Sequence, residues 1–349
     1  MGAKNKPMMI SLLILGGFVL LFAGGEALVR GSVGVARKAG MSELVIGLTL
    51  VGFGTSLPEL VTSLEALSEG AVGISIGNVI GSNVANIMLV IGAAAFVRAI
   101  TTDPKSLMRD GAFMVAVTIV FAIVVWMDAF TRLTGILFTA LLVAYLVVSI
   151  ILDRQANSAA GGMHQSEAEE FDHDDPIWLS LLMTLGGIVG VIFGAKFLVE
   201  GGSDAARLFG VSETVIGISI VAIGTSLPEL VTSIMAARKG KADVALGNVL
   251  GSNVFNILGI LGISAIVYPF TLIEPNAAVV PLEVAAMQFG QAASMVTWTD
   301  MGAIFLSVIL LFVFAFTGRK VARWEGGILL TAYFLYMGLR FDLIPTFGG

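Results

Sequence analysis

Runs of apolar residues recur along nearly all of the 349 positions, most of them about 18 residues or longer and so able to cross a hydrocarbon core of about 30 Å as a helix. Short polar or charged stretches separate them. The pattern predicts helices near 8–29, 43–67, 71–97, 109–127 and 131–152, and again near 177–199, 213–237, 241–268, 300–317 and 324–344. Apolarity is continuous within each run rather than alternating, which speaks for helices and against a β-barrel. The fold class expected is an all-α polytopic membrane protein.

The two sets of five are copies of one another. Residues 45–100 set against 215–270 need no gap, and 28 of the 56 positions are identical at a constant offset of 170. A fainter match reaches back to Gly16 and Gly186 and forward to Arg132-Leu-Thr-Gly135 against Arg323-Trp-Glu-Gly326. Five crossings per copy insert the second copy upside down, so the expected architecture is ten transmembrane helices arranged as two inverted five-helix repeats. The first repeat covers 1–152, a polar acidic linker 153–176, and the second repeat 177–349.

Two stretches need separate treatment. Lys4 and Lys6 followed by Ile10 to Ala23 resemble a cleaved signal peptide, but Ser180 to Leu198 is a mid-chain copy of the same segment, so the first helix is expected to be retained. Residues 277–297 have no counterpart in the first repeat and contain Pro281, Glu283, Gln288 and Gln291. An interfacial or re-entrant piece is expected there, because an eleventh crossing would break the symmetry.

Composition agrees with a membrane body. Hydrophobic residues make up 57% and charged residues 13%, against about a quarter charged in a soluble domain. With no cysteine, disulfides, thiolate metal sites and cysteine nucleophiles are excluded. The net charge of −6 is concentrated in Glu167 to Asp175 and gives a nucleic-acid role no support. The face holding the linker carries 13 of the 19 lysines and arginines, which by the positive-inside rule makes it cytoplasmic and leaves both termini outside.

The chemistry is concentrated in the repeats. Gly54 to Ser63 and Gly224 to Ser233 are the same ten residues, GTSLPELVTS. Each copy places a glutamate, Glu59 or Glu229, at membrane depth, where a carboxylate is costly and is read by default as part of an ion or proton pathway. Pro58 and Pro228 lack an N–H and clash with the carbonyl four residues earlier, so each helix must open at this point. The freed carbonyls are tolerated only where they are buried or line a polar cavity, and in transporters such carbonyls coordinate cations.

Thr55 and Ser56 lie four and three residues before Glu59, with Gly52 one turn further back; Ala222, Thr225, Ser226 and Glu229 repeat the set. Carboxylates, hydroxyls and carbonyls together make an all-oxygen site suited to calcium or sodium and poorly matched to zinc or copper. The next helix in each copy carries GNVIGSNVANI from Gly77 or GNVLGSNVFNI from Gly247. Asn78, Ser82 and Asn86 form one polar stripe there, and Asn248, Ser252 and Asn256 form the other. Gly77 with Gly81, and Gly247 with Gly251, have the spacing of a close helix contact.

For Asn78, Asn83, Asn248 and Asn253, plain interhelical hydrogen bonding explains the residues as well as ion binding does. Glu26 with Arg30 and Lys196 with Glu200 are expected to be local i,i+4 pairs near helix ends. The acidic linker cluster, which includes His173, is expected to be a solvated chain rather than a metal sensor.

With GTSLPE and GNxxGSN present in both halves, the chain resembles the sodium/calcium exchanger family within the cation/calcium exchanger superfamily, and most of all its compact prokaryotic members. The resemblance implies that the paired motifs are the α-repeats, here about 43–98 and 213–268, building adjacent sodium and calcium sites at the membrane centre. It implies ligands at Glu59, Thr55, Ser56, Gly52 through its carbonyl, Ser82 and Asn86, and at Glu229, Thr225, Ser226, Ala222 through its carbonyl, Ser252 and Asn256. It implies antiport by alternating access, with helices 8–29 and 177–199 sliding on glycine-rich faces, in a prokaryotic plasma membrane. Some members carry aspartate where this chain has Asn86 or Asn256.

The expected cargo is calcium and sodium, with no cofactor, no enzymatic activity and no obligate protein partner beside membrane lipid. A proton/calcium or potassium-dependent cation/calcium antiporter using the same glutamates is the alternative. A channel fits a duplicated site within one chain less well. An intramembrane protease finds no Ser/His dyad, since the two histidines, His164 and His173, both fall in the linker.

Overall fold

The computed structural model describes residues 6–159, 175–209, 224–272 and 298–340. The described chain is almost wholly helical: α1 Lys6–Ala39, α2 Glu43–Thr55, α3 Leu57–Ser68, α4 Val72–Val97, α5 Leu107–Met127, α6 Arg132–Ala159, α7 Ile177–Leu208, α8 Leu227–Arg238, α9 Ala242–Val267, α10 Trp298–Thr317 and α11 Arg323–Arg340. Among the described residues seven helices are long and apolar enough to cross a membrane, or eight if the pair α2 and α3, bent by 42°, counts as one broken span. Two fall short of that measure. α8 has only 12 residues within the described chain, and α11 carries Arg323, Glu325 and Arg340 in its 18. Ala222, most of the acidic linker and the segment 277–297 lie outside the described residues.

The chain divides into two compact units, one of residues 1–55 with 143–251, the other of 56–142 with 252–349. In the first, α1 and α7 lie against each other along most of their lengths. A Cβ added at Gly17 would stand 2.9 Å from the Gly194 carbonyl, one at Gly24 2.8 Å from the Val191 nitrogen, and one at Gly31 2.5 Å from the Thr184 nitrogen. Partner numbers fall as α1 numbers rise, so these two equivalent helices run antiparallel. Lipid tails are as apolar as leucine and give no hydrophobic drive to helix pairing; close van der Waals contact at small residues supplies it. Leu21, Leu28, Val51, Ile188, Val191 and Ala195 fill the buried seam around this contact.

In the second unit, α4 packs against α3, α10 and α11. A Cβ at Gly92 would meet the Gly326 carbonyl at 3.1 Å, and one at Gly135 would meet the Gly262 carbonyl at 2.6 Å. Gly92 and Gly262 are equivalent positions, as are Gly135 and Gly326, so the duplicated chain uses the same contact twice with the copies exchanged. The ends of this unit are tied by β1 Ile100–Thr101 pairing antiparallel with β2 Lys320–Val321 and by Thr102 Oγ1 donating to the Ala315 carbonyl at 2.9 Å.

Burial sorts the helices by environment. The apolar window of α4 is 83% buried and that of α9 89%, against 28% for α1 and 33% for α7, so the motif-bearing helices are the more deeply buried.

Several details depart from the pattern of the sequence. π-helical turns interrupt α2 at Gly47–Val51, α4 at Ala85–Ile91, α5 at Leu107–Gly111 and α9 at Phe255–Ile260. α1 and α7 run about two and a half to three turns past the expected ends, because their last turns are polar and leave the apolar pattern. Lys196 does pair with Glu200, at 4.0 Å, but the expected Glu26–Arg30 pair is replaced: Glu26 pairs with Lys239 of the turn after α8, and Arg30 with Asp175 at 2.7 Å. A local i,i+4 pair is worth only a few tenths of a kcal/mol (about 0.2–0.5), so partners brought by tertiary contact displace it.

Candidate functional site

The backbone turns in the same way ahead of both prolines. Ser56 has φ −88° and ψ 6°, Ser226 φ −88° and ψ 5°. Each serine precedes a helix whose second residue is the proline, where a missing N–H costs no intrahelical bond. The glutamate follows on the first turn, so the proline both ends one helical piece and begins the next.

The first unit holds Gly52, Thr55, Thr225, Ser226 and Glu229. Glu229 is 1% exposed and Thr55 0%. The Thr55 hydroxyl lies 3.2 Å from Asn248 Oδ1, while Asn248 Nδ2 donates to the Glu229 carbonyl at 3.4 Å and to Ser233 Oγ at 3.0 Å. Asn248 thus joins a threonine of the first ten-residue copy to the glutamate of the second. α7 backs both breaks: a Cβ at Gly54 would stand 2.4 Å from Ile188, and one at Gly224 2.1 Å from Val199. A Cβ at Gly251 would stand 2.2 Å from the Leu48 carbonyl and one at Gly247 2.3 Å from that of Leu44, which is the close helix approach expected of this pair. Gly77 and Gly81 have no such neighbour among the described residues.

The second unit holds Ser56, Glu59, Ser82, Asn86, Ser252 and Asn256, all at most 4% exposed. Asn78 Nδ2 donates to the Glu59 carbonyl at 3.0 Å and to Ser63 Oγ at 2.9 Å, repeating the Asn248 arrangement. α3, which carries Glu59, packs on the π-turn that carries Asn256. Asn86 donates to Asn253 Oδ1 at 3.4 Å, and Asn256 donates to Asn83 Oδ1 at 3.4 Å. These two bonds exchange the copies, with the third asparagine of each motif donating to the second of the other.

The bonds leave specific oxygens over. Asn86 Oδ1, Asn256 Oδ1 and Ser226 Oγ are buried and have no hydrogen-bond partner among the described residues. A buried polar atom left this way costs about 1–3 kcal/mol, and a hard cation would relieve that cost. No group of three or more His, Cys, Asp or Glu comes together among the described residues, so hydroxyl, amide and carbonyl oxygens must make up most of any coordination shell. That donor set fits calcium or sodium.

Ser63 and Ser233 are the residues that motif reasoning passed over. Both stand four positions after the glutamate inside the repeated ten, and that duplication was the available signal.

The chain is similar to known proteins over most of its length. The sequence pattern of the sodium/calcium exchanger protein family matches residues 9–151 and 179–341. Sodium/calcium exchanger MaX1 of Methanosarcina acetivorans is 34% identical over 366 aligned positions, which cover 95% of this chain and 98% of that protein. Inner membrane protein YrbG of Escherichia coli is 33% identical over 74% of this chain and 80% of that protein. Among solved structures, the sodium-calcium exchanger NCX_Mj soaked with 2.5 mM Na+ and 1 mM Sr2+ superposes with a TM-score of 0.76 at 31% identity, covering 95% of this chain and 98% of that one.

Proposed function

The chain belongs to the sodium/calcium exchanger family, and from that premise we propose that it is a secondary active antiporter exchanging sodium for calcium by alternating access. It is an integral membrane transporter of the cation/calcium exchange class and not an enzyme. The finer statement concerns the ions and their ligands. Glu59 and Glu229 supply the fixed charge, with Thr55, Ser56, Ser82, Asn86, Thr225, Ser226, Ser252 and Asn256 as neutral oxygen ligands and the carbonyls of Gly52 and Ala222 completing the set.

One observation carries this reading: each buried glutamate follows a serine of the same dihedral geometry and is held by an asparagine bonded to its own carbonyl. Fixing the backbone at the glutamate sets where its carboxylate stands, and two carboxylates balance one calcium or two sodium ions. The two ions therefore compete for overlapping oxygens, which is the basis of exchange rather than co-transport.

The ten-helix inverted architecture is part of the proposal. Antiparallel packing of α1 on α7 and the exchanged contacts of Gly92, Gly135, Gly262 and Gly326 support it. The proposal keeps the linker cytoplasmic and both termini outside, in a prokaryotic plasma membrane, on the strength of the lysine and arginine bias between the two faces.

The test is calcium uptake into proteoliposomes loaded with sodium, compared with choline, for the wild type and for Glu59→Gln and Glu229→Gln. Uptake that needs internal sodium and is lost in both variants is the expected result. Uptake that follows an imposed pH gradient and ignores sodium would replace the coupling ion, and uptake surviving both substitutions would remove the glutamates from the site.

A further inference from the structure

We infer that Thr232 is an additional oxygen ligand, lying on the cation path between Glu229 and the basic end of α8; this rests on the reading of Glu229 as an ion ligand. Thr232 is 0% exposed, and its hydroxyl has no hydrogen-bond partner among the described residues. Helical threonines ordinarily give that hydroxyl to the carbonyl four residues back. Thr49 does so at 2.7 Å, Thr118 at 2.8 Å and Thr184 at 2.7 Å. The carbonyl of Pro228 stands in the same relation to Thr232, yet Thr232 does not use it.

Position explains what the hydroxyl is kept for. Thr232 stands three residues after Glu229, next to it on the helix surface, and the Ser226 hydroxyl, three residues before the glutamate, is likewise left over. Beyond Thr232 the helix ends at Arg238 and Lys239, on the face expected to be cytoplasmic. The equivalent Thr62 is only half-buried, so the added oxygen belongs to one side of the exchanger.

The experiment uses the full chain, following the calcium-dependent rise in melting temperature in detergent, since a ligand that binds only the folded state raises it. Thr232→Val keeps the shape and removes the hydroxyl. The expected result is about a fivefold higher calcium concentration for the half-maximal shift, with the calcium-free melting temperature unchanged or raised, since an unsatisfied buried group has been removed; Thr232→Ser restores the wild-type response. A wild-type calcium response in Thr232→Val overturns the inference. A lowered calcium-free melting temperature in both variants overturns it too, by showing a packing role. Glu229→Gln is the separate control: if it responds to calcium like the wild type, the ion-site reading itself fails, whatever Thr232 does.

Discussion

The Asn248 side chain donates to the backbone carbonyl of Glu229 at 3.4 Å. Asn78 holds Glu59 in the same way at 3.0 Å. Asn248→Ala takes away a donor from two buried acceptors, the carbonyl and Ser233 Oγ, and leaves the Thr55 hydroxyl with one acceptor fewer. A loss of about 1–3 kcal/mol of stability is expected, together with a raised KM for calcium, read by thermal unfolding and by uptake. Unchanged values for both would mean that the amide does not position the glutamate.

Restoring the broken helices separates stability from transport. Pro58→Ala and Pro228→Ala supply the missing N–H and remove a ring clash, so each variant should unfold at the same temperature or higher. Transport should fall at least tenfold, as the freed carbonyls are drawn back into the helix. Wild-type turnover in both variants would show that the opening does not depend on the prolines.

A single methyl group tests the seam between α1 and α7. A Cβ at Gly187 would stand 2.4 Å from the backbone nitrogen of Leu28, which no rotamer change relieves. Gly187→Ala should lower stability by about 1–3 kcal/mol, measured as a lower melting temperature, and should slow exchange. A melting temperature equal to that of the wild type would mean that the helices separate here at no cost.

In the proposed site two glutamates set the charge, because Asn86 and Asn256 are amides. Asn256→Asp adds one negative charge and gives up the donation to Asn83. The loaded carrier then differs by one unit of charge, so the voltage dependence of calcium uptake into proteoliposomes with an imposed potential should change. An identical voltage response would place Asn256 away from the transported charge.

Much of this was legible in the sequence. Helix positions follow from apolar runs, and the two breaks follow from Pro58 and Pro228, because both rest on local chemistry that a window of residues carries. The choice of partner was not legible. Glu26 and Arg30 are four apart and of opposite charge, yet each finds a residue far away in the chain. The exchange between Asn86 and Asn253, and between Asn256 and Asn83, also depends on two distant segments meeting. The π-turns depend on one residue more per turn, which leaves no mark in hydropathy. Ser63 and Ser233 show the reverse case, in which duplication marked the residues and only the structure supplied their role.

The glycine seam of α1 and α7 has a thermal consequence. Glycine has no rotamers to freeze, so pressing Gly17, Gly24 and Gly31 against the opposite backbone orders no side chain at those points. The contact is held by short-range attraction between main-chain atoms, which fades within about an ångström of separation. Heating therefore weakens it at those points through enthalpy lost on parting and not through side-chain freedom regained.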